Sequence, residues 1–219
     1  MDKFGKSQPV RRLEDQRFLT GQGRYIDDIA PDGALFAVFV RSQVAHGRLT
    51  PVDLSDAREM PGVVGAFAAE ELAGMGLDYV MRGELVENSD GTKGADVARP
   101  LLATGKVRFV GEAVAVILAE TRDQAKDAAE AVFVETDDLA AKVDYAPGGE
   151  TIHEEAPDNV AFDWAVGDHD AVAKVFDSAA HVVKTRVVDN RVFANPMEPR
   201  GCYADWSDGR LHFNYGGQG

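Results

Sequence analysis

Cysteine is nearly absent from this sequence: Cys202 is the one residue of its kind among 219. An intrachain disulfide is therefore excluded, and an iron-sulfur cluster, which takes about four thiolates, cannot be ligated by this chain alone. Basic side chains are short in number, with 23 Lys and Arg against 37 Asp and Glu and a formal net charge of −14. Nucleic acid and anionic lipid surfaces reward clustered Lys and Arg, so neither is an expected partner. Long hydrophobic runs are missing as well, since nothing approaches the roughly 20 apolar residues of a membrane span. The opening Met1-Asp-Lys-Phe-Gly-Lys-Ser-Gln-Pro9 lacks the apolar centre of a secretory signal. Both observations make a cytoplasmic location the expectation.

What the chain does hold is enough apolar material, 45% of its residues, for one domain and part of a second. Residues 1–12 are polar and read as a disordered tail that ends where Leu13 and Phe18 dock. Residues 34–41 and 63–67 read as strands, with a short helix begun by Ser55 and stopped by Pro61-Gly62 between them. Residues 74–96 lose the apolar pattern and read as a long irregular loop. Residues 113–119 are the most continuous apolar strand, and a strand apolar on both sides calls for cover on both faces.

Thr121 with Gln124 forms a capping-box signal before a helix whose Ala125, Ala128, Ala129 and Val132 share one face. Residues 132–134 follow as an extended segment, so the order strand, helix, strand predicts an α/β layer within an α+β protein. Ala146-Pro-Gly-Gly-Glu150 is a linker. Beyond it, Asp168 or Asp170 caps a second amphipathic helix, residues 181–188 alternate as a half-buried strand, and Ser207-Asp-Gly209 joins the arms of a β-hairpin.

Few of the chemistry-bearing residues form a pattern. Gly21-Gln-Gly23 is a turn, not a dinucleotide fingerprint, because Ile26 stands at the third glycine position. His46 has no second ligand at helical spacing and reads as a histidine with an ordinary hydrogen bond. His153, Glu154 and Glu155 are adjacent, and three consecutive side chains rarely converge on one point, so they read as solvated linker. No nucleophile paired with a base is visible, which disfavours an independent hydrolase built on Glu154, Glu155 or Glu198.

The stretch that secondary structure explains least is Asn190-Arg-Val-Phe-Ala-Asn-Pro-Met-Glu-Pro-Arg-Gly201. Its prolines rule out a regular helix or central strand. It carries the carboxylate Glu198 between Arg191 and Arg200. Together with Val10-Arg-Arg-Leu-Glu-Asp15, Arg99-Pro-Leu-Leu102, Val107-Arg-Phe-Val-Gly-Glu112 and His153-Glu-Glu-Ala-Pro-Asp-Asn-Val160, in that order, it resembles the molybdopterin-binding large subunit of the xanthine dehydrogenase and aldehyde oxidase family, in its aerobic carbon monoxide dehydrogenase form. The segment 135–144 departs from that family, with Thr136 where tyrosine is usual and Asp138 and Ala140 where prolines are usual.

The resemblance implies an α/β hammerhead domain over 13–145, a linker over 146–159 and the start of a first molybdopterin-binding domain over 160–219. It implies an oxidoreductase that hydroxylates a carbon substrate with oxygen from water. Iron-sulfur clusters and FAD would sit on other chains, and a further chain or segment would carry the remaining pterin-binding domains and the catalytic glutamate. No catalytic residue and no metal ligand is transferred onto this chain, which by itself is expected to be inactive. As cofactor-binding residues the resemblance points to Gln218, Gly217, Gly216, Phe193 and Glu198, the last holding its loop by an ion pair with an arginine. Asn195 is a further pocket residue, and Cys202 is expected in a strand core. The competing expectation is a non-catalytic binding or assembly module that keeps the hammerhead fold.

Overall fold

The computed structural model describes residues 11–29, 31–77, 80–190, 192, 195, 196, 198 and 200–217. In chain order its elements are α1 (Asp15–Leu19), a 3-10 turn (Ile26–Asp28), β1 (Phe36–Arg41), β2 (Gly47–Leu49), α2 (Ser55–Glu59), β3 (Val63–Ala68) and α3 (Ala69–Gly74). They continue with β4 (Val80–Met81), β5 (Arg99–Pro100), β6 (Lys106–Val107), β7 (Ala113–Ala119), α4 (Arg122–Glu130), β8 (Thr136–Asp138), α5 (His169–Ser178), β9 (Cys202–Ser207) and β10 (Arg210–Tyr215). The chain divides into two compact units, one of residues Leu35–Lys184 and one joining Met1–Ala34 to Thr185–Gly219.

The first unit is organised around β7. It lies between β1 and β3, antiparallel to both, with Phe36 and Val63 each opposite Ala119. Ala115 and Ile117 face a core of Leu54, Ala57, Ala66, Ala68 and Ala128, while Val114 faces a second core with Ala103 and Val107. The cover expected on both faces of this strand is present. Small residues on α4 bring its backbone close to the sheet, and Ala125 and Ala128 are fully buried. Thr121 caps α4 by accepting a hydrogen bond from the Gln124 N–H at 3.2 Å. The reciprocal half of the box is altered, because the Thr121 hydroxyl donates to Gln124 Oε1 at 2.9 Å. The segment after α4 does not join the β7 sheet; Phe133 bridges Asp53, and β8 pairs with β2 in a separate sheet of order β6-β2-β8. The helix therefore leads from one layer to another.

Other expectations need correction. Ser55 is not the capping side chain of α2: Asp53 Oδ1 accepts both the Ser55 N–H at 2.9 Å and its hydroxyl at 2.7 Å. Residues 181–188 are exposed, and none of them lies in a strand. An extended segment keeps strand geometry only where a neighbour fills its ladder, and alternation alone supplies none. The 146–159 segment is closed by hydrogen bonds. Asn159 donates to the carbonyls of Gly148 and Glu150 and accepts from the Ile152 N–H.

In the second unit Leu13 stands exposed and docks on no described residue, while Phe18 stacks on Tyr25 with ring centroids 6.4 Å apart. Most of the tail expected over 1–12 lies outside the described residues. The hairpin forms as its turn signal predicts: Asp208 and Gly209 both take positive φ, 52° and 72°, the twist that a two-residue connection between antiparallel strands requires. β9 and β10 pair in register from Ser207 opposite Arg210 to Cys202 opposite Tyr215. Cys202 is exposed, not in a core, because no described residue covers that side of the hairpin.

Candidate functional site

The base of the hairpin is where the predicted residues meet. Beyond the last strand pair the chain closes once more, the Gly216 N–H donating to the Gly201 carbonyl at 3.0 Å. Glu198, half-buried, lies beside this closure: a Cβ placed on Gly216 would come 3.4 Å from Glu198 Oε1. The same oxygen accepts the Ile26 N–H at 3.4 Å, a long hydrogen bond between residues 172 positions apart. The Ile26 side chain rests against Gly201, where an added Cβ would sit 3.1 Å from Ile26 Cγ2.

Ile26 is held in turn by local bonds. It begins the 3-10 turn, in which Asp28 N–H donates to the Tyr25 carbonyl and Asp28 Oδ2 accepts the Tyr25 N–H, both at 3.0 Å. Such turns expose donors at their start, and here Glu198 takes one of them.

Of the five residues proposed from sequence, Glu198 and Gly216 are thus together, and Gly217 follows them in an exposed position. Gln218 and Phe193 lie outside the described residues. Among the described residues Glu198 makes no ion pair with Arg200, Arg191 lies outside them, and Glu198 Oε1 accepts the Ile26 N–H. Asn195 is exposed. Sequence reasoning missed Ile26 altogether, since an isoleucine in a turn carries no sign of a contact so distant.

A second polar grouping lies in the Leu35–Lys184 unit. His46 is 3% exposed, and its Nδ1 donates to the Ala140 carbonyl at 2.8 Å, the ordinary hydrogen bond expected of it. His46 Nε2 and Arg108 Nε are both buried, with no hydrogen-bond partner among the described residues. Burial holds the His153 imidazole below the usual histidine range, and the charge of Arg108 adds to that effect. Glu154 reaches Lys106 Nζ at 3.7 Å. Among the described residues no three His, Cys, Asp or Glu side chains are grouped to hold a metal ion. A groove beside β3 contains Arg58 and Glu71 paired at 2.7 Å, and Arg58 also donates to the Ala66 carbonyl on that strand edge. That pairing blunts an open edge and has no catalytic feature.

The chain thus holds an antiparallel layered unit, a capped helix after it and a glycine-ended hairpin. Residues 20–140 match the aldehyde oxidase and xanthine dehydrogenase a/b hammerhead domain, and residues 152–219 match a molybdopterin cofactor-binding domain. The chain belongs to the aldehyde oxidase and xanthine dehydrogenase family, and it matches the N-terminal part of molybdenum hydroxylase large subunits. It is 40% identical over 207 residues to the nicotine 6-hydroxylase large subunit of Paenarthrobacter nicotinovorans, covering 92% of this chain and 24% of that one. It is 33% identical to the carbon monoxide dehydrogenase large chain of Afipia carboxidovorans, covering 89% and 25%. Among solved structures, quinoline 2-oxidoreductase from Pseudomonas putida 86 superposes with a TM-score of 0.72 at 32% identity, over 93% of this chain and 26% of that one. The chain spans about a quarter of the length of the relatives it matches. These relatives are large subunits of multi-subunit complexes. Among the described residues no helix is long and apolar enough to cross a membrane.

Proposed function

We propose that this chain is the hammerhead and first cofactor-binding part of a molybdenum hydroxylase that acts on a small carbon substrate. The observation that carries the reading is the match of residues 152–219 to a molybdopterin cofactor-binding domain, within which the clasped glycine closure lies. The exposed backbone of Gly217 supports a fit to that cofactor; the place a Cβ would take there is filled by the Tyr215 ring, 2.7 Å away, so only glycine keeps this backbone and ring together. Gly216, Gly217 and Gln218 would present backbone and an amide to the cofactor, Phe193 would line the pocket, and Glu198 would hold the closure in place. When bound, the molybdenum cofactor supplies the oxidation at carbon, with oxygen taken from water. The residues of this chain bind and orient the cofactor.

The domain plan proposed is the hammerhead over 13–145, a linker over 146–159 and the first cofactor-binding domain from 160. Iron-sulfur and FAD subunits accept the electrons, a chain with the remaining pterin-binding domains completes the site, and the assembly works in the cytoplasm. Native mass spectrometry with molybdenum analysis on the protein from its own source tests the reading. A molybdenum-containing complex that oxidises one of nicotine, quinoline, an aldehyde or carbon monoxide is the expected result. A metal-free species with none of these activities supports the assembly-module reading instead.

A further inference from the structure

We infer that the segment around Ile26 is a clasp on the cofactor-binding part of the chain, and that Ile26 is a positioning residue for the Gly216-Gly217 backbone. The hammerhead match begins at residue 20 and so assigns Ile26 to that domain. Packing assigns it elsewhere, to the compact unit that joins Met1–Ala34 with Thr185–Gly219. Its backbone N–H is spent on Glu198 at 3.4 Å, and its side chain fills the space beside Gly201.

The clasp gives a physical reason for glycine at 201 and brings two side chains against Gly216. Neither Gly201 nor Gly216 has the positive φ that would call for glycine on backbone grounds. What Gly201 lacks is room, since a Cβ there would lie 3.1 Å from Ile26 Cγ2; at Gly216 a Cβ would meet Glu198 Oε1 at 3.4 Å and Ile26 Cγ1 at 3.6 Å, ordinary contact distances that place both side chains against its backbone. Gly216 thus lies in contact with both clasp residues, and beside it the exposed Gly217 has the place of its Cβ filled by the Tyr215 ring at 2.7 Å. Where Gly217 points depends on Gly216, and Gly216 is held by Gly201 and flanked by Ile26 and Glu198.

Ile26→Pro tests this at the level of one atom. Ile26 opens the 3-10 turn, and Tyr25 before it is extended (φ −103°, ψ 170°), so proline is tolerated there while the N–H is lost. Hydrogen exchange on the chain is expected to show the Gly216 amide exchanging about tenfold faster or more in Ile26→Pro and Glu198→Leu, with β7 amides unchanged. Ile26→Val and Glu198→Gln, which keep the donor and an oxygen acceptor, are expected to exchange like the parent. Gly201→Ala alone is expected to open the closure, and Gly201→Ala with Ile26→Ala to restore it. Unchanged Gly216 exchange in Ile26→Pro overturns the clasp, as does an equal loss of β7 protection.

The positioning role rests on the proposed cofactor reading and is tested on the full-length protein from its own source. Ile26→Pro is expected to lower its molybdenum content at least twofold, while Ile26→Val retains it. Lost closure with full molybdenum content overturns the role. A parent protein without molybdenum sinks the cofactor reading and leaves the clasp to be judged by exchange alone.

Discussion

β7 and α5 are both rich in alanine and valine, and the fold treats them in opposite ways. Val114 and Ile117 of β7 are fully buried, whereas Val172, Val175 and Phe176 of α5 are 53%, 67% and 58% exposed. The β9-β10 hairpin resembles α5 in this respect, with every residue of β10 exposed. Yet α5 and the hairpin are regular in geometry: Asp168 Oδ1 accepts the Ala171 N–H at 2.9 Å, and the Asp208-Gly209 turn has the required hand. A cap and a turn are satisfied within a few residues, so local order needs no core. Burial needs facing surfaces, and for β7 the chain provides two. An apolar face as open as that of α5 is a surface waiting for cover.

The largest test of this contrast is a pair of truncations. Ile117→Ala should cost about 2–5 kcal/mol in urea unfolding, since it leaves a cavity in a packed core, whereas Phe176→Ala should change stability by less than about 0.5 kcal/mol. Equal costs would show that α5 is covered in solution. Next comes Gly62→Ala. Gly62 has φ +79°, a conformation that strains any other residue, and a Cβ there would meet the end of the Gln124 side chain at 2.2 Å, so that amide must swing away from Thr121. The expected loss exceeds about 1 kcal/mol.

Removing the two caps separates the regions more finely. Thr121→Ala should lower global stability by about 0.5–2 kcal/mol, because α4 belongs to the core. Asp168→Ala should speed exchange of the first amides of α5 and leave the global midpoint unchanged. A shift of that midpoint would tie α5 to the core.

The smallest effect expected is on pH. His153 has its folded pKa below the unfolded value of about 6.5, owing first to burial and then to Arg108, with His46 and Lys106 acting the same way and Glu155 opposing. The unfolded chain then binds the proton more readily. The contribution is fully present above about pH 6.5 and is lost as pH falls through the folded value. Urea midpoints at pH 7.5 and 5.5 should therefore fall further in the parent than in His153→Gln. An equal fall would mean that His153 is as solvated in the folded chain as in the unfolded one.

Much of this was legible before any coordinates. The continuous apolar run at 113–119, the Thr121 and Asp168 caps and the Ser207-Asp-Gly209 turn each announced an element that formed. β2, β6 and β8 were not legible: at two or three residues each they have no pattern of their own and exist because their backbones meet. The 181–188 segment shows the reverse, since its alternation described a strand and it joins no sheet among the described residues. α3 was hidden because its N-terminus is capped from within, by Glu71 Oε2 accepting the Ala68 N–H at 2.8 Å, in a stretch that otherwise reads as the end of a strand.

The candidate site divides in the same way. Its glycines and Glu198 stood out by composition and by resemblance, and the family was readable from blocks of residues in order. Helix caps, turn chirality and side-chain period act within a few residues, so the sequence by itself determined where α4, α5 and the hairpin would form. Which apolar faces became core, and that Ile26 would meet Glu198 across 172 residues, only the tertiary structure decided, because the path of all the intervening chain must be set before two such distant groups can touch.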